Sequence, residues 1–191
     1  MMQVINYPDK GDWQELLRRP SQDFTSVKNA VQNILDDVKQ RGDEALKAYT
    51  KQFDKIELDS FIVNDEEWQT AATISDDLKN AIQLAIKNVR TFHEAQKEPV
   101  QKIETMPGVV CWRKSVAIEK VGLYIPGGTA PLFSTLIMLA VPAKIAGCKE
   151  IIVCTPPQKN GLVHPAVLYA AKQTGINKIY FAGRDDIYFA F

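Results

Sequence analysis

The stretch VGLYIPGGTAPLFST, residues 121–135, decides the fold that the sequence predicts. Val121 to Ile125 is a short apolar run typical of a buried strand, and the Pro-Gly-Gly turn at 126–128 ends it. From Pro131 to Ala146 the residues follow a helical pattern, which Gly147 closes. A strand, a glycine turn and a helix in this order form the first half of a βαβ unit.

The same alternation of strands and helices continues toward the C-terminus. Glu150 to Thr155 is a continuous apolar run that predicts a second strand, and Pro156-Pro157 breaks it. His164 to Thr174 predicts an amphipathic helix, and Lys178 to Ala182 predicts a third strand. Strands that alternate with helices predict a parallel sheet with helices on its faces.

To the left, the sequence is rich in charge and predicts helices. Val27, Val31, Ile34 and Val38 lie at the spacing of one helical face. Residues 101–120 change to extended structure around a Pro107-Gly108 turn. We therefore expect two parts: residues 1–120 form a helical segment with extended strands, and 121–191 form an incomplete Rossmann-like cofactor domain. The predicted helix starts are Ser26 or Thr25, Asp43 after Gly42, Asn64 or Asp65, and Ser75, and Pro99 marks the end of the last helix.

Composition excludes several classes of protein. The chain has 191 residues, 23 Lys and Arg against 23 Asp and Glu, and 46% hydrophobic residues. Low hydrophobicity with high net charge would indicate disorder, and a basic balance would indicate a nucleic-acid binder, so neither is expected. The 3 Cys form no CxxC pair, which favours reduced thiols in the cytoplasm. Residues 121–143 carry no charge, but their prolines and glycines argue against a membrane span.

The glycine turn is a candidate ligand site with an open alternative. Gly127 and Gly128 let a ligand approach the backbone, and the helix N-terminus that follows suits a phosphate or carboxylate. Tyr124 at the end of the strand could stack on adenine or nicotinamide. The motif is neither GxGxxG nor a P-loop, however, and a plain tight turn with a core tyrosine explains the same residues.

Longer segments of the sequence resemble one protein family. The segment VGLYIPGGTAPLFSTLIMLAVPAKIAGCKEIIVCTPP, residues 121–157, strongly resembles the histidinol dehydrogenases. Residues 31–55, 78–98 and 107–128 are similar to earlier segments of that family, and the likeness extends to about Tyr180. Beyond Tyr180 the resemblance fades, because residues 183–191 read GRDDIYFAF where the family usually continues with a Gly-Gly-Ala-Gln type of run.

The resemblance implies a fold, a reaction and residue roles. Histidinol dehydrogenases oxidise L-histidinol to L-histidine through histidinaldehyde with NAD and one zinc ion. They are homodimers of Rossmann-like domains of the aldehyde-dehydrogenase-like class. The resemblance implies a substrate-binding role for Ser134. The cofactor-binding residues that it implies are Tyr124, Pro126, Gly127, Gly128 and Phe53.

The catalytic and zinc motifs of the family do not occur in this sequence. The family's zinc ligands, a Gln, an Asp and two His, and its Glu-His proton-transfer pair all belong to the later half of the longer chain. The chain has 2 His, and we interpret His93 as a packing residue and His164 as a solvated residue at a helix start. We therefore predict no catalytic and no metal residues here, and a truncated part that is inactive alone. The alternatives are a nucleotide-binding half-domain without catalysis and an orphan interaction fragment.

Overall fold

The computed structural model of the chain describes residues 4–19, 25–127 and 130–183. It is a mixed α/β structure in which helices precede a three-stranded sheet. The helices are α1 (Trp13–Leu16), α2 (Thr25–Arg41), α3 (Asp43–Phe53), α4 (Asp65–Gln69), a 3-10 turn (Thr70–Thr73), α5 (Asp76–Glu94), α6 (Phe133–Ala146) and α7 (Pro165–Gln173). The strands are β1 (Lys102–Met106), β2 (Val109–Trp112), β3 (Lys120–Tyr124), β4 (Glu150–Thr155) and β5 (Ile179–Phe181).

The second half of the chain forms the predicted parallel sheet. Its strand order is β3-β4-β5, and both neighbouring pairs are parallel. The free edge of β5 is partly covered by residues 61–63, which run antiparallel to it. The Val63 N–H donates to the Ile179 carbonyl at 3.0 Å, and the Phe181 N–H donates to the Phe61 carbonyl at 2.7 Å. The N-terminal part therefore extends the sheet that the C-terminal part builds.

One face of this sheet forms the core. Alternate residues of the strands point to opposite faces, and Leu123, Val153 and Ile179 are buried on the face that α6 and α7 cover. Helix α5 packs against α6 and α7 and adds Ile82 and Ile86 to the same cluster. The core thus contains residues from both sides of residue 120, and the proposed division at that position stays a prediction.

Helix α6 is apolar around almost its whole circumference, as its place between sheet and α5 requires. It continues through Pro142 and ends at Ala146. The proline only removes one donor of the helical ladder, which the surrounding packing tolerates. Gly147 ends the helix with a φ of 91°, in the left-handed region that glycine enters without strain. No helix in the described ranges is long and apolar enough to cross a membrane.

The predicted helix starts are confirmed at two places and wrong at one. Asn64 caps α4 and Ser75 caps α5, each through a side-chain oxygen that accepts a backbone N–H. Asp43 does not cap α3: Gly42, at a φ of 57°, is the residue before the helix, and Asp43 is its first residue. The side chains of Thr25 and Ser26 lie outside the described part. Helix α5 ends at Glu94, well before Pro99.

Strands β1 and β2 form a hairpin whose residues are all exposed. The Pro107-Gly108 turn joins the two strands, as predicted, and the Gly108 N–H donates to the Glu104 carboxylate at 2.8 Å. Ile103 and Trp112 are more than half exposed. Because none of its strand residues is buried, the hairpin receives little stabilisation from the core. A two-stranded hairpin by itself is only marginally stable in water.

We expect Leu168→Ala to destabilise the fold by about 2–5 kcal/mol, because Leu168 is 0% exposed and its removal leaves a cavity beneath the sheet. The measurement is the free energy of unfolding in urea. Leu84→Ala on α5 is the matched control, since Leu84 is 58% exposed and its loss should change stability by no more than about 0.5 kcal/mol. Equal effects of the two substitutions would contradict the placement of the core.

Candidate functional site

A small cleft lies where β3 and β4 end and where α6 and α7 begin. Its volume is about 150 Å³. The turn after β3 forms one wall and the loop between β4 and α7, residues 156–164, forms the other. Ligands of open parallel sheets bind at the carboxyl ends of the strands, which is the position of this cleft. The lining residues are Ile125, Pro126, Gly127, Ala130, Pro131, Leu132, Thr155, Pro156, Gln158, Val163, His164 and Val167.

Close packing explains why glycine occupies position 127. A Cβ atom added to Gly127 would lie 2.5 Å from the Cγ atom of Pro156. The proline ring is rigid and cannot turn aside as a flexible side chain could. From the sequence, the glycine was interpreted as leaving room for a ligand near the backbone. In the described structure the Pro156 ring, on the other wall of the cleft, occupies the space that a side chain at 127 would need.

The two helices that meet at the cleft differ at their N-termini. The residue before α7, His164, accepts the Ala166 N–H through its Nδ1 atom at 3.1 Å, and Pro165 has no N–H. The residue before α6 is Leu132, whose apolar side chain makes no capping hydrogen bond. The first turn of α6 therefore offers the more available backbone donors, together with the positive end of a 14-residue helix dipole. The first turn of α6 is therefore the better position to stabilise an anionic group in the cleft.

Pro126 and Gly127 line the cleft, whereas Gly128 lies outside the described residues. Tyr124 is the last residue of β3 and pairs in register with Cys154. It is half-buried and lies on the opposite face of the sheet from Leu123. Tyr124 is therefore close to the cleft along the chain but is not part of its lining.

The structure does not bring Ser134 and Phe53 into this cleft. Ser134 is exposed in the first turn of α6. Phe53 is 45% exposed at the end of α3, where its ring stacks on Tyr49 with the centroids 5.9 Å apart. Their implied roles stay predictions.

Sequence reasoning missed the residues of the opposite wall. Thr155, Gln158 and His164 belong to the end of β4 and to the loop that follows it. The available signal was topological: in a parallel sheet, the turn after one strand lies beside the turn after its neighbour. His164 was correctly placed at a helix start, and it also faces the cleft.

A larger groove, of about 1220 Å³, lies elsewhere, between the α2–α3 pair and the second face of the sheet. Apolar side chains such as Leu35, Leu46, Ile152 and Tyr180 line it. Asp37 on α2 accepts a hydrogen bond from the Tyr49 hydroxyl on α3, which joins the two helices, and it also accepts one from Arg41 on its own helix. These bonds lower the Asp37 pKa to about 2. The groove contains none of the implied cofactor or substrate residues, so the smaller cleft remains the candidate site.

The described residues contain no group of three or more His, Cys, Asp and Glu side chains that could hold a metal ion. Two buried groups titrate abnormally. Burial raises the pKa of the Cys154 thiol to about 11, and burial also raises the pKa of Glu67, against the effect of a hydrogen bond from the Val163 N–H. Neither group lines the cleft, and the Cys154 thiol is a poor nucleophile at neutral pH.

Comparison with known proteins identifies the family. A profile of the histidinol dehydrogenases matches residues 17–185. The chain belongs to the histidinol dehydrogenase family. The histidinol dehydrogenase of Bacteroides thetaiotaomicron is 55% identical over 184 residues, and that of Bacteroides fragilis is 54% identical over 183 residues. These alignments cover 96% and 95% of the chain.

A solved histidinol dehydrogenase shares the fold. The crystal structure of the enzyme from Elizabethkingia anophelis superposes with a TM-score of 0.89 at 46% identity over 96% of the chain. The chain spans 43% of the length of each Bacteroides relative and 42% of the Elizabethkingia chain. The fold class predicted for this chain, a helical region followed by an incomplete Rossmann-like parallel sheet, is therefore confirmed for the described part.

We expect Gly127→Ala to destabilise the chain by about 1–3 kcal/mol, because the new methyl group would overlap the Pro156 ring. Urea unfolding measures the effect, and Gly11→Ala is the control because nothing lies within 4 Å of a Cβ at that position. Pro156→Ala in the same chain should reduce the cost, which a double-mutant cycle detects. If Gly127→Ala were as harmless as Gly11→Ala, the close approach would not be the reason for glycine.

We expect the Cys154 thiol to react with a thiol reagent such as DTNB only after unfolding, because it is buried and its pKa is raised. The variant Cys111→Ser, Cys148→Ser isolates this thiol. In the unaltered chain the exposed Cys111 should react at once at pH 8. Since burial raises the pKa from 9.0 to about 11, the unfolded chain loses this proton first, and stability should fall as pH rises between those values. Rapid labelling of Cys154 without denaturant would refute this placement.

Proposed function

We propose that the chain forms part of an NAD-dependent histidinol dehydrogenase, which oxidises L-histidinol to L-histidine through histidinaldehyde. In this proposal its own contribution is a portion of the NAD site. The observation that carries the proposal is the cleft at the ends of β3 and β4, which lies beside the family's Tyr-Ile-Pro-Gly segment and beneath the start of α6. Membership of the histidinol dehydrogenase family supports the choice of NAD as the nucleotide.

The size and polarity of the cleft support a phosphate position. A cleft of about 150 Å³ is smaller than the roughly 300–1,000 Å³ of whole ligand pockets, so it can hold only a part of a dinucleotide. The uncapped first turn of α6 suits the pyrophosphate. In this arrangement Pro126 and Gly127 lie against the phosphates, Tyr124 and Gly128 belong to the same binding segment, and Phe53 and Ser134 serve the nicotinamide and substrate sides.

Zinc does not fit the described residues. A catalytic zinc site needs three protein ligands in close proximity, and the described part offers no such cluster. Proton transfer from the alcohol also needs a base within hydrogen-bond reach of it, and the described residues that line the cleft include no carboxylate. We therefore propose that zinc binding and proton transfer depend on the portion of the family's length that this chain does not span.

We also propose that the longer enzyme acts as a homodimer in the cytoplasm, as the family implies. Its small-molecule substrate requires neither a nucleic acid nor a membrane. The 3 free thiols, at Cys111, Cys148 and Cys154, agree with a reducing compartment.

We expect the purified chain to bind NAD in a calorimetric titration and to show no reduction of NAD when histidinol and zinc are added. Tyr124→Ala should weaken binding, by up to about tenfold for the loss of one base-stacking ring. Tyr180→Ala is the matched control, because Tyr180 is half-buried on the same face and also pairs with Cys154. It should leave NAD affinity unchanged.

The two measurements test different parts of the proposal. Absence of NAD binding by a folded chain would contradict a cofactor role for the cleft. Reduction of NAD that a chelator abolishes would contradict the view that the zinc and proton-transfer groups lie outside this chain.

A further inference from the structure

Glu67 is a buried carboxylate that connects two distant parts of the chain. Glu67 lies on α4, and 5% of its surface is exposed to solvent. Its Oε1 atom accepts the N–H of Val163 at 2.5 Å, across 96 positions of sequence. A carboxylate this deeply buried is costly unless it is hydrogen-bonded, so the bond to Val163 is the contact that accounts for its presence.

The position of Glu67 within α4 makes this use of its side chain unusual. Asn64 caps the helix and accepts the Glu67 N–H at 2.8 Å, so Glu67 is the third residue of the helix. A glutamate at that position commonly folds back so that its carboxylate oxygen accepts the capping residue's own N–H. Here it reaches the loop between β4 and α7 instead, so the local helix start gains nothing from this oxygen.

The loop that Glu67 holds is the outer wall of the cleft. Residues 156–164 form a compact turn, in which the Gln158 N–H donates to the Leu162 carbonyl at 3.0 Å and the Gly161 N–H donates to the Gln158 carbonyl at 2.8 Å. These bonds lie within the loop and do not fix it to the rest of the chain. The Val163 N–H does so, directly before His164, which caps α7. Gln158, Val163 and His164 all line the cleft.

We propose that Glu67 is a positioning residue that fixes the 156–164 loop and thereby the shape of the cleft in which NAD phosphates bind. It acts through Val163 and does not itself line the cleft. The consequence for the cofactor rests on the proposed function, whereas the anchoring of the loop does not.

The anchor requires an acceptor atom and the correct length, but not a negative charge. Burial raises the pKa of Glu67, which shows that its surroundings disfavour the ionised form. A carbonyl oxygen at the same place can accept the same N–H, so Glu67→Gln should preserve the anchor. Glu67→Met has similar volume without a comparable acceptor, and Glu67→Asp keeps the acceptor on a side chain one methylene shorter.

The test follows the Val163 amide and the NAD affinity in the full chain. We expect Glu67→Met and Glu67→Asp each to speed hydrogen exchange of the Val163 amide and to weaken NAD binding by up to about tenfold, as for the loss of one hydrogen bond. Glu67→Gln should leave both close to the unaltered chain. Glu66→Met, at an exposed position of the same helix, is the control for the loss of a glutamate from α4. If Glu67→Met does not fold, Glu67→Asp against Glu67→Gln gives the same comparison.

Three results separate this inference from the proposed function. Unchanged exchange of the Val163 amide in Glu67→Met or Glu67→Asp would overturn the anchor, because a side chain that merely fills space has no bond to lose. Faster exchange with unchanged NAD affinity would overturn the link between loop and cleft. If the unaltered chain binds no NAD, the proposed cofactor role fails, and the exchange of the Val163 amide alone then decides whether Glu67 fixes the loop.

Discussion

Burial of one face of the β3-β4-β5 sheet beneath α6 and α7 is the constraint on which the rest of the structure depends. Parallel strands need crossover connections, which here are helices, and those helices cover the sheet because its side chains on that face are apolar. Val153 and Ile179 are 0% exposed, as are Leu136 and Leu168 on the helices. Once this layer forms, the ends of β3 and β4 and the starts of α6 and α7 have to meet at one edge.

The candidate site is a product of that edge and of two contacts that hold its walls. Gly127 and Pro156 pack so closely that a side chain at 127 has no room, and Glu67 binds the backbone of Val163 from the far side of the loop. Both contacts place backbone segments rather than reactive groups. In the described part, the walls of the candidate cleft are therefore set by packing and hydrogen bonding between segments that are far apart in the chain.

Helices α6 and α7 cover only one face of the sheet, and apolar side chains outside that layer remain accessible in the described structure. The second face of the sheet carries Ile152 and Tyr180 along a groove of about 1220 Å³, and the β1–β2 hairpin exposes Ile103 and Trp112. The chain spans 43% of the length of its Bacteroides relatives, so more than half of their residues lie outside the matched part.

The amino-acid sequence by itself determined the order and type of the elements, because the signals involved are local. Apolar runs, the caps Asn64 and Ser75, and the helix-ending Gly147 act over a few residues, and the family's words in 121–157 are likewise contiguous. Where a local signal was wrong, the error was small: the residue before α3 is Gly42, one position earlier than the predicted cap Asp43. Only the tertiary structure decided what faces the cleft: it put Tyr124 on the other face of the sheet, paired Gly127 with Pro156 and joined Glu67 to Val163. Those contacts depend on distances between segments far apart in the chain, and such distances are set by packing rather than by residue pattern.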